Sequence, residues 1–110
     1  MKAVQHWWAQ RLTAVILVPF SLWFIFTLAN MTGMDHATVN AWIKSPMNSA
    51  LLILFILALF YHAHLGLQVV VEDYISDEKL RHNIIVLCLL AMLLAGLVSI
   101  VSVLKIALGL

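Results

Sequence analysis

Charged side chains are scarce in this chain. Lysine, arginine, aspartate and glutamate make up 10% of the 110 residues, while 65% are apolar. A soluble domain carries about 25% charged and about 45–50% apolar residues. Small folds leave much of their surface in water, so this composition excludes a water-soluble domain and makes lipid the solvent for most side chains. Cysteine is nearly absent as well: Cys88 stands alone, inside an apolar run. It rules out an internal disulfide and any metal site built on cysteine pairs, and it carries no information about compartment. With four glycines and two prolines there is no glycine-rich phosphate loop. The net charge of +1 comes without a basic run or a basic-aromatic alternation, so no nucleic acid partner is expected. Repeats and low-complexity tracts are missing too, and a single membrane domain is expected over 1–110.

Three uncharged apolar runs fill most of the chain, at 12–31, 47–71 and 84–104. Each reaches the roughly 20 residues that cross about 30 Å of hydrocarbon as a helix. Lone strands cannot satisfy their backbone in lipid, so an all-α protein with three transmembrane helices is predicted, at about 11–32, 47–74 and 83–106. The first run is too long for a cleaved signal and lacks a small-residue cleavage pattern. Gly33, Asp35, Asn40 and Pro46 mark 32–46 as turn and loop, and Asp77, Glu78, Lys79 and Arg81 mark 76–82 as the second link. Three crossings place Lys2, Arg11, Lys79 and Arg81 on one side and Lys44 and Lys105 on the other. Four against two predicts a cytoplasmic, or matrix-side, N-terminus. Trp7 and Trp8 fit an interfacial aromatic belt, with Trp42 doing the same across the membrane.

Polar residues inside lipid are costly and rare, so each is a functional hypothesis. His62 lies in the middle of the second run, about 18 Å along a helix from Tyr74 at 1.5 Å per residue. An imidazole there needs a hydrogen-bond partner on a neighbouring helix, water, or a metal such as haem iron. His62, Gly66, Val69 and Asp73 share one helical face, where Gly66 would admit either a flat ring or a close helix. His64 is about 200° further round and cannot share a metal with His62; a packing or partner contact is expected for it. Arg11, at the mouth of the first helix, suits a carboxylate or a propionate, or anchors the helix by snorkelling. Asp73 and Tyr74 supply a proton source and a phenolic donor of the kind quinone reduction uses, or simply mark where the helix leaves the bilayer. With no extramembrane domain, the chain is not expected to catalyse alone.

The stretch His62-Ala63-His64-Leu65-Gly66-Leu67-Gln68-Val69-Val70-Val71-Glu72-Asp73-Tyr74 resembles the signature of the D-type anchor subunit of succinate dehydrogenase. Arg11-Leu12-Thr13-Ala14 is similar to the Arg-x-Thr-Ala that opens the first helix of that family. The helix-two motif is the more specific of the two, and the resemblance extends over essentially the whole chain. It implies that His62 is the axial ligand of haem b and that Arg11 lies near the haem propionates. It further implies that Tyr74 hydrogen-bonds the ubiquinone head group, with Asp73 as its neighbouring carboxylate. No role is implied for Glu72, and His64 becomes a lipid or subunit contact. The implied partners are a flavoprotein, an iron–sulfur protein and a second, C-type membrane anchor, in a bacterial inner membrane rather than a mitochondrial one. The first and third predicted helices contain no histidine and His64 points away, so a second axial ligand for haem would come from another chain, or conceivably from Met92. A fumarate reductase-type anchor and a small membrane scaffold without a redox centre are the alternative functions.

Overall fold

The computed structural model describes residues 2–110. Four helices follow one another: α1 (Ala3–Met31), α2 (His36–Lys44), α3 (Pro46–Tyr74) and α4 (Glu78–Ala107). No strand occurs among the described residues. α1, α3 and α4 are each long and apolar enough to cross a membrane. At 1.5 Å per residue, a helix of 29 residues measures about 44 Å, longer than the hydrocarbon core. Their ends therefore extend into the headgroup zones, and the molecule is 51 Å along its longest axis.

The helices are longer than the apolar runs predict. α1 starts at Ala3 rather than near residue 11. Its first turns hold Trp7 against Trp8 edge to face, with ring centres 5.0 Å apart. The Arg11 guanidinium sits 5.1 Å from the Trp7 ring centre, an i,i+4 pairing of cation and aromatic face. Helix and membrane are different boundaries here, because a helix continues into the interface where water and headgroups solvate its polar residues. α4 likewise begins at Glu78, five residues before the predicted start. The Asp77 carboxylate accepts from the Leu80 N–H at 3.0 Å and caps it.

The expected loop at 32–46 contains a helix. After α1, Gly33 takes a left-handed φ of 84°, a conformation open to glycine at little cost, and turns the chain. Asp35 then caps α2: its carboxylate accepts from the Thr38 N–H at 2.9 Å and from the Thr38 hydroxyl. Pro46 ends α2 and occupies the first turn of α3, where a missing N–H costs nothing. Trp42 is also more than a belt residue. Its ring stacks on Trp23 of α1 at 5.9 Å, and its carbonyl accepts from the Asn48 side chain at 3.0 Å. With Phe20 and Phe24 packed on Phe55 at 6.3 and 5.0 Å, an aromatic cluster ties α1, α2 and α3 together at the end of the bundle remote from the N-terminus.

α3 is the central element. It packs against α1 and against α4, and α2 lies against α3 and α4. Leu17, Phe55, Leu65 and Val71 are the buried apolar side chains, and Gly96 is buried on α4. Most other leucines, valines and isoleucines remain exposed. In lipid this is not a defect, since apolar side chains gain little by leaving acyl chains for protein; packing and interhelical hydrogen bonds hold such bundles.

Candidate functional site

The packing of α1 on α3 brings together the two stretches that the sequence singled out. His62 is the seventeenth of the 29 residues of α3, near mid-helix, and is half-buried. Its Nδ1 lies 2.7 Å from the Thr13 hydroxyl of α1, across 49 positions of sequence. Among the described residues Nε2 has no hydrogen bond. The imidazole borders an open apolar recess made by Ala14, Leu17, Val18, Ser21 and Leu22 of α1.

One to two turns towards the N-terminal end of α1 the surface becomes polar. His6, Trp7, Gln10 and Arg11 of α1 face Gly66, Gln68, Val69 and Glu72 of α3 across a cleft. The Gln68 amide donates to the Glu72 carboxylate at 3.2 Å. His6 Nε2 and Gln10 Oε1 are buried without a hydrogen-bond partner in the described chain. Gly66 is apposed to Gln10: a Cβ added there would lie 3.7 Å from Gln10 Nε2. That is an ordinary contact with the end of a flexible side chain, so the approach does not itself require glycine, but it shows that the face of α3 bearing His62, Gly66 and Val69 is turned to α1.

The predicted site residues divide into two groups. His62 and Arg11 both line the α1–α3 junction, in the recess and in the cleft respectively. Asp73 and Tyr74 are exposed at the end of α3, Tyr74 to 85%. Tyr74 is the last residue of α3, where the predicted 47–74 helix also ends. Glu72, to which no role was given, lines the cleft with Arg11. Sequence reasoning also passed over His6 and Gln10, because α1 was begun too late. Their spacing with Thr13 at i, i+4 and i+7 is the signal that would have found them. Thr13 itself was quoted only as part of a motif.

His64 lies on the other side of α3. It borders an apolar recess against α4 with Phe60, Tyr61, Met92, Leu93 and Gly96, and its Nδ1 is buried without a partner in the described chain. Met92 therefore belongs to the side of α3 opposite His62, which removes it as a companion ligand. α1 and α4 do carry histidines, His6 and His82, in the terminal turns that lie outside their apolar runs.

These residues fit one cofactor chemistry. Among the described residues no three of His, Cys, Asp and Glu converge, so the donor set suits no bare metal ion. The His62 imidazole, with one nitrogen unclaimed beside an apolar wall and with a polar cleft further along in which Arg11 offers a cation and Glu72 an anion, could hold an amphiphilic macrocycle whose anionic side arms reach Arg11.

Residues 1–102 match the family described as succinate dehydrogenase/fumarate reductase transmembrane subunit. The chain is 44% identical over 100 residues to a succinate dehydrogenase hydrophobic membrane anchor subunit of Rickettsia bellii, covering 89% of this chain and 78% of the relative. It is 43% identical over 84 residues to the anchor subunit of Rickettsia conorii, covering 74% and 66%. With the succinate dehydrogenase membrane anchor subunit of Reclinomonas americana the identity is 34% over 79 residues, covering 69% and 66%. Matched along nearly its whole length, the chain belongs to the succinate dehydrogenase/fumarate reductase transmembrane subunit family.

Proposed function

We propose that this chain anchors a succinate:ubiquinone oxidoreductase in the bacterial inner membrane, holds haem b together with a second anchor, and forms part of the ubiquinone site. The observation that carries this reading is His62: a mid-helix imidazole, oriented by a neighbouring helix, with one nitrogen free beside an apolar recess. The relatives are named as succinate dehydrogenase anchors, which favours that activity over fumarate reduction.

In this reading His62 Nε2 would bind the haem iron, and the second anchor would supply the other protein ligand. Haem b, when bound, supplies a one-electron redox centre within the bilayer. Arg11, in the cleft at the N-terminal end of the junction, offers a planar charged fork to the propionates. Tyr74 and Asp73 stand exposed at the same end of the bundle, where an iron–sulfur subunit docks and delivers electrons from succinate by way of the flavoprotein. The Tyr74 hydroxyl donates to a quinone carbonyl, and the Asp73 carboxylate hands on protons. This chain binds no succinate.

The test is the absorption spectrum of the purified complex. The wild type is expected to show a haem b Soret band that His62→Ala loses or weakens, while succinate oxidation with an artificial dye survives. A complex without haem in the wild type would return the chain to a structural anchor or scaffold. A full haem spectrum in His62→Ala would remove the ligand assignment.

A further inference from the structure

We infer that Thr13 is a positioning residue that sets the tautomer of His62, holding the proton on Nδ1 and leaving the Nε2 lone pair free for a metal. This deepens the proposed function and rests on its assignment of His62 as haem ligand.

The argument is a count of protons. A threonine hydroxyl has one proton to donate and two lone pairs that accept. Thr13 Oγ1 lies 2.7 Å from the Ala9 carbonyl oxygen one turn back and 3.1 Å from that of Gln10. Carbonyl oxygens only accept, so the hydroxyl proton goes to the helix backbone, the usual arrangement for threonine inside a helix. His62 Nδ1 lies 2.7 Å from the same oxygen. With the hydroxyl proton already directed to the backbone, this contact is a hydrogen bond only if Nδ1 carries a proton and donates it. A neutral imidazole protonated at Nδ1 has its lone pair at Nε2, the nitrogen that makes no hydrogen bond within the described chain. The opposite tautomer would place N–H at Nε2, where it would block coordination by that nitrogen.

Two physical consequences follow. The bond fixes the ring plane, so the metal-binding nitrogen is presented before any metal arrives. It also draws the Nδ1 proton towards oxygen and makes Nε2 a stronger donor. A stronger axial donor stabilises ferric over ferrous iron, so Thr13 lowers the haem potential.

The experiment compares Thr13→Val, which keeps the shape and removes the hydroxyl, with Thr13→Ser, which keeps the hydroxyl. Both are made in the whole complex in membranes, with His62→Ala beside them. Thr13→Val is expected to weaken haem retention by about 10–100-fold and to raise the midpoint potential of the haem that remains. Thr13→Ser is expected to restore both. If His62→Ala loses haem while Thr13→Val keeps the wild-type content and potential, the Thr13 inference falls and the ligand assignment stands. If His62→Ala keeps its haem, the ligand assignment falls and takes this one with it. Equal damage in the Ser and Val variants would mean packing rather than a hydrogen bond and would also overturn the inference. A second measurement covers a Thr13→Val complex that does not assemble. Nitrogen-15 histidine spectra of the haem-free full chain in micelles, with the His62→Ala chain for assignment, are expected to show His62 protonated at Nδ1. Protonation at Nε2 overturns the inference whatever the variants do.

Discussion

At the scale of the residue, Tyr74 and His62 are opposites. His62 is held by a neighbour within the chain, whereas Tyr74 is 85% exposed. An exposed phenol at the end of a membrane helix is free to contact something outside the chain, as the proposed quinone site between subunits would require. Removing only the hydroxyl tests this. A net hydrogen bond is worth about 0.5–1.5 kcal/mol, so Tyr74→Phe is expected to cut ubiquinone reduction by a few-fold to about tenfold. A bond stronger in the transition state would increase the loss. Haem content and assembly should stay as in the wild type. The measurement is the ratio of succinate–ubiquinone reductase to succinate–dye activity in membranes, and an unchanged ratio would make Tyr74 an interfacial belt residue.

At the scale of the element, α2 and α4 carry the clearest physical tests. The Asp35 carboxylate caps α2, and its pKa is lowered from 3.8, first by the Thr38 hydroxyl and then by the Thr38 N–H. A carboxyl whose folded pKa is depressed contributes stability above its ordinary value and loses it as pH falls through the lowered one. The α2 region is therefore expected to loosen below about pH 4, visible as a change in Trp42 fluorescence as its stacking on Trp23 relaxes. Asparagine caps about as well as aspartate without titrating, so Asp35→Asn should abolish that acid transition; a transition that persists would place its cause elsewhere. On α4, a Cβ at Gly96 would meet the Phe60 ring at 3.7 Å, an ordinary contact. Gly96→Ala is expected to be tolerated. Gly96→Leu must push α4 off α3, at about 1–3 kcal/mol, measurable as a lower midpoint in denaturation by detergent. Equal midpoints for the two variants would deny that Gly96 governs the approach.

At the scale of the whole molecule, the arrangement of charge along the bundle predicts orientation. Lys44 of α2 and Lys105 of α4 border one recess at the end remote from the N-terminus, as three crossings require. Lys2, Arg11, Lys79 and Arg81 belong to the other end. The excess of basic residues should keep that end in the cytoplasm. A reporter active only outside the inner membrane should work when joined after Leu110 and fail in the link between α3 and α4; the reverse pattern would invert the topology.

Composition and run length by themselves determined that this is a three-span membrane protein, because lipid leaves only helices of about 20 apolar residues as a solution. The spacing within 62–74 and around Arg11 pointed to the family and to His62, since chemistry confined to one helix is written at fixed offsets in sequence. Tertiary structure alone decided what each polar group meets. No local pattern says that Thr13 reaches His62, that Gly66 lies against Gln10, or that His64 and Met92 share the opposite side of α3. Hydropathy could not reveal that α1 begins at Ala3 or that 36–44 is helical, because both lie where polar side chains remain solvated and the apolar signal fades. Which helix faces which depends on close approach between side chains far apart in sequence, and in lipid that choice is made by packing and a few hydrogen bonds rather than by a hydrophobic pattern.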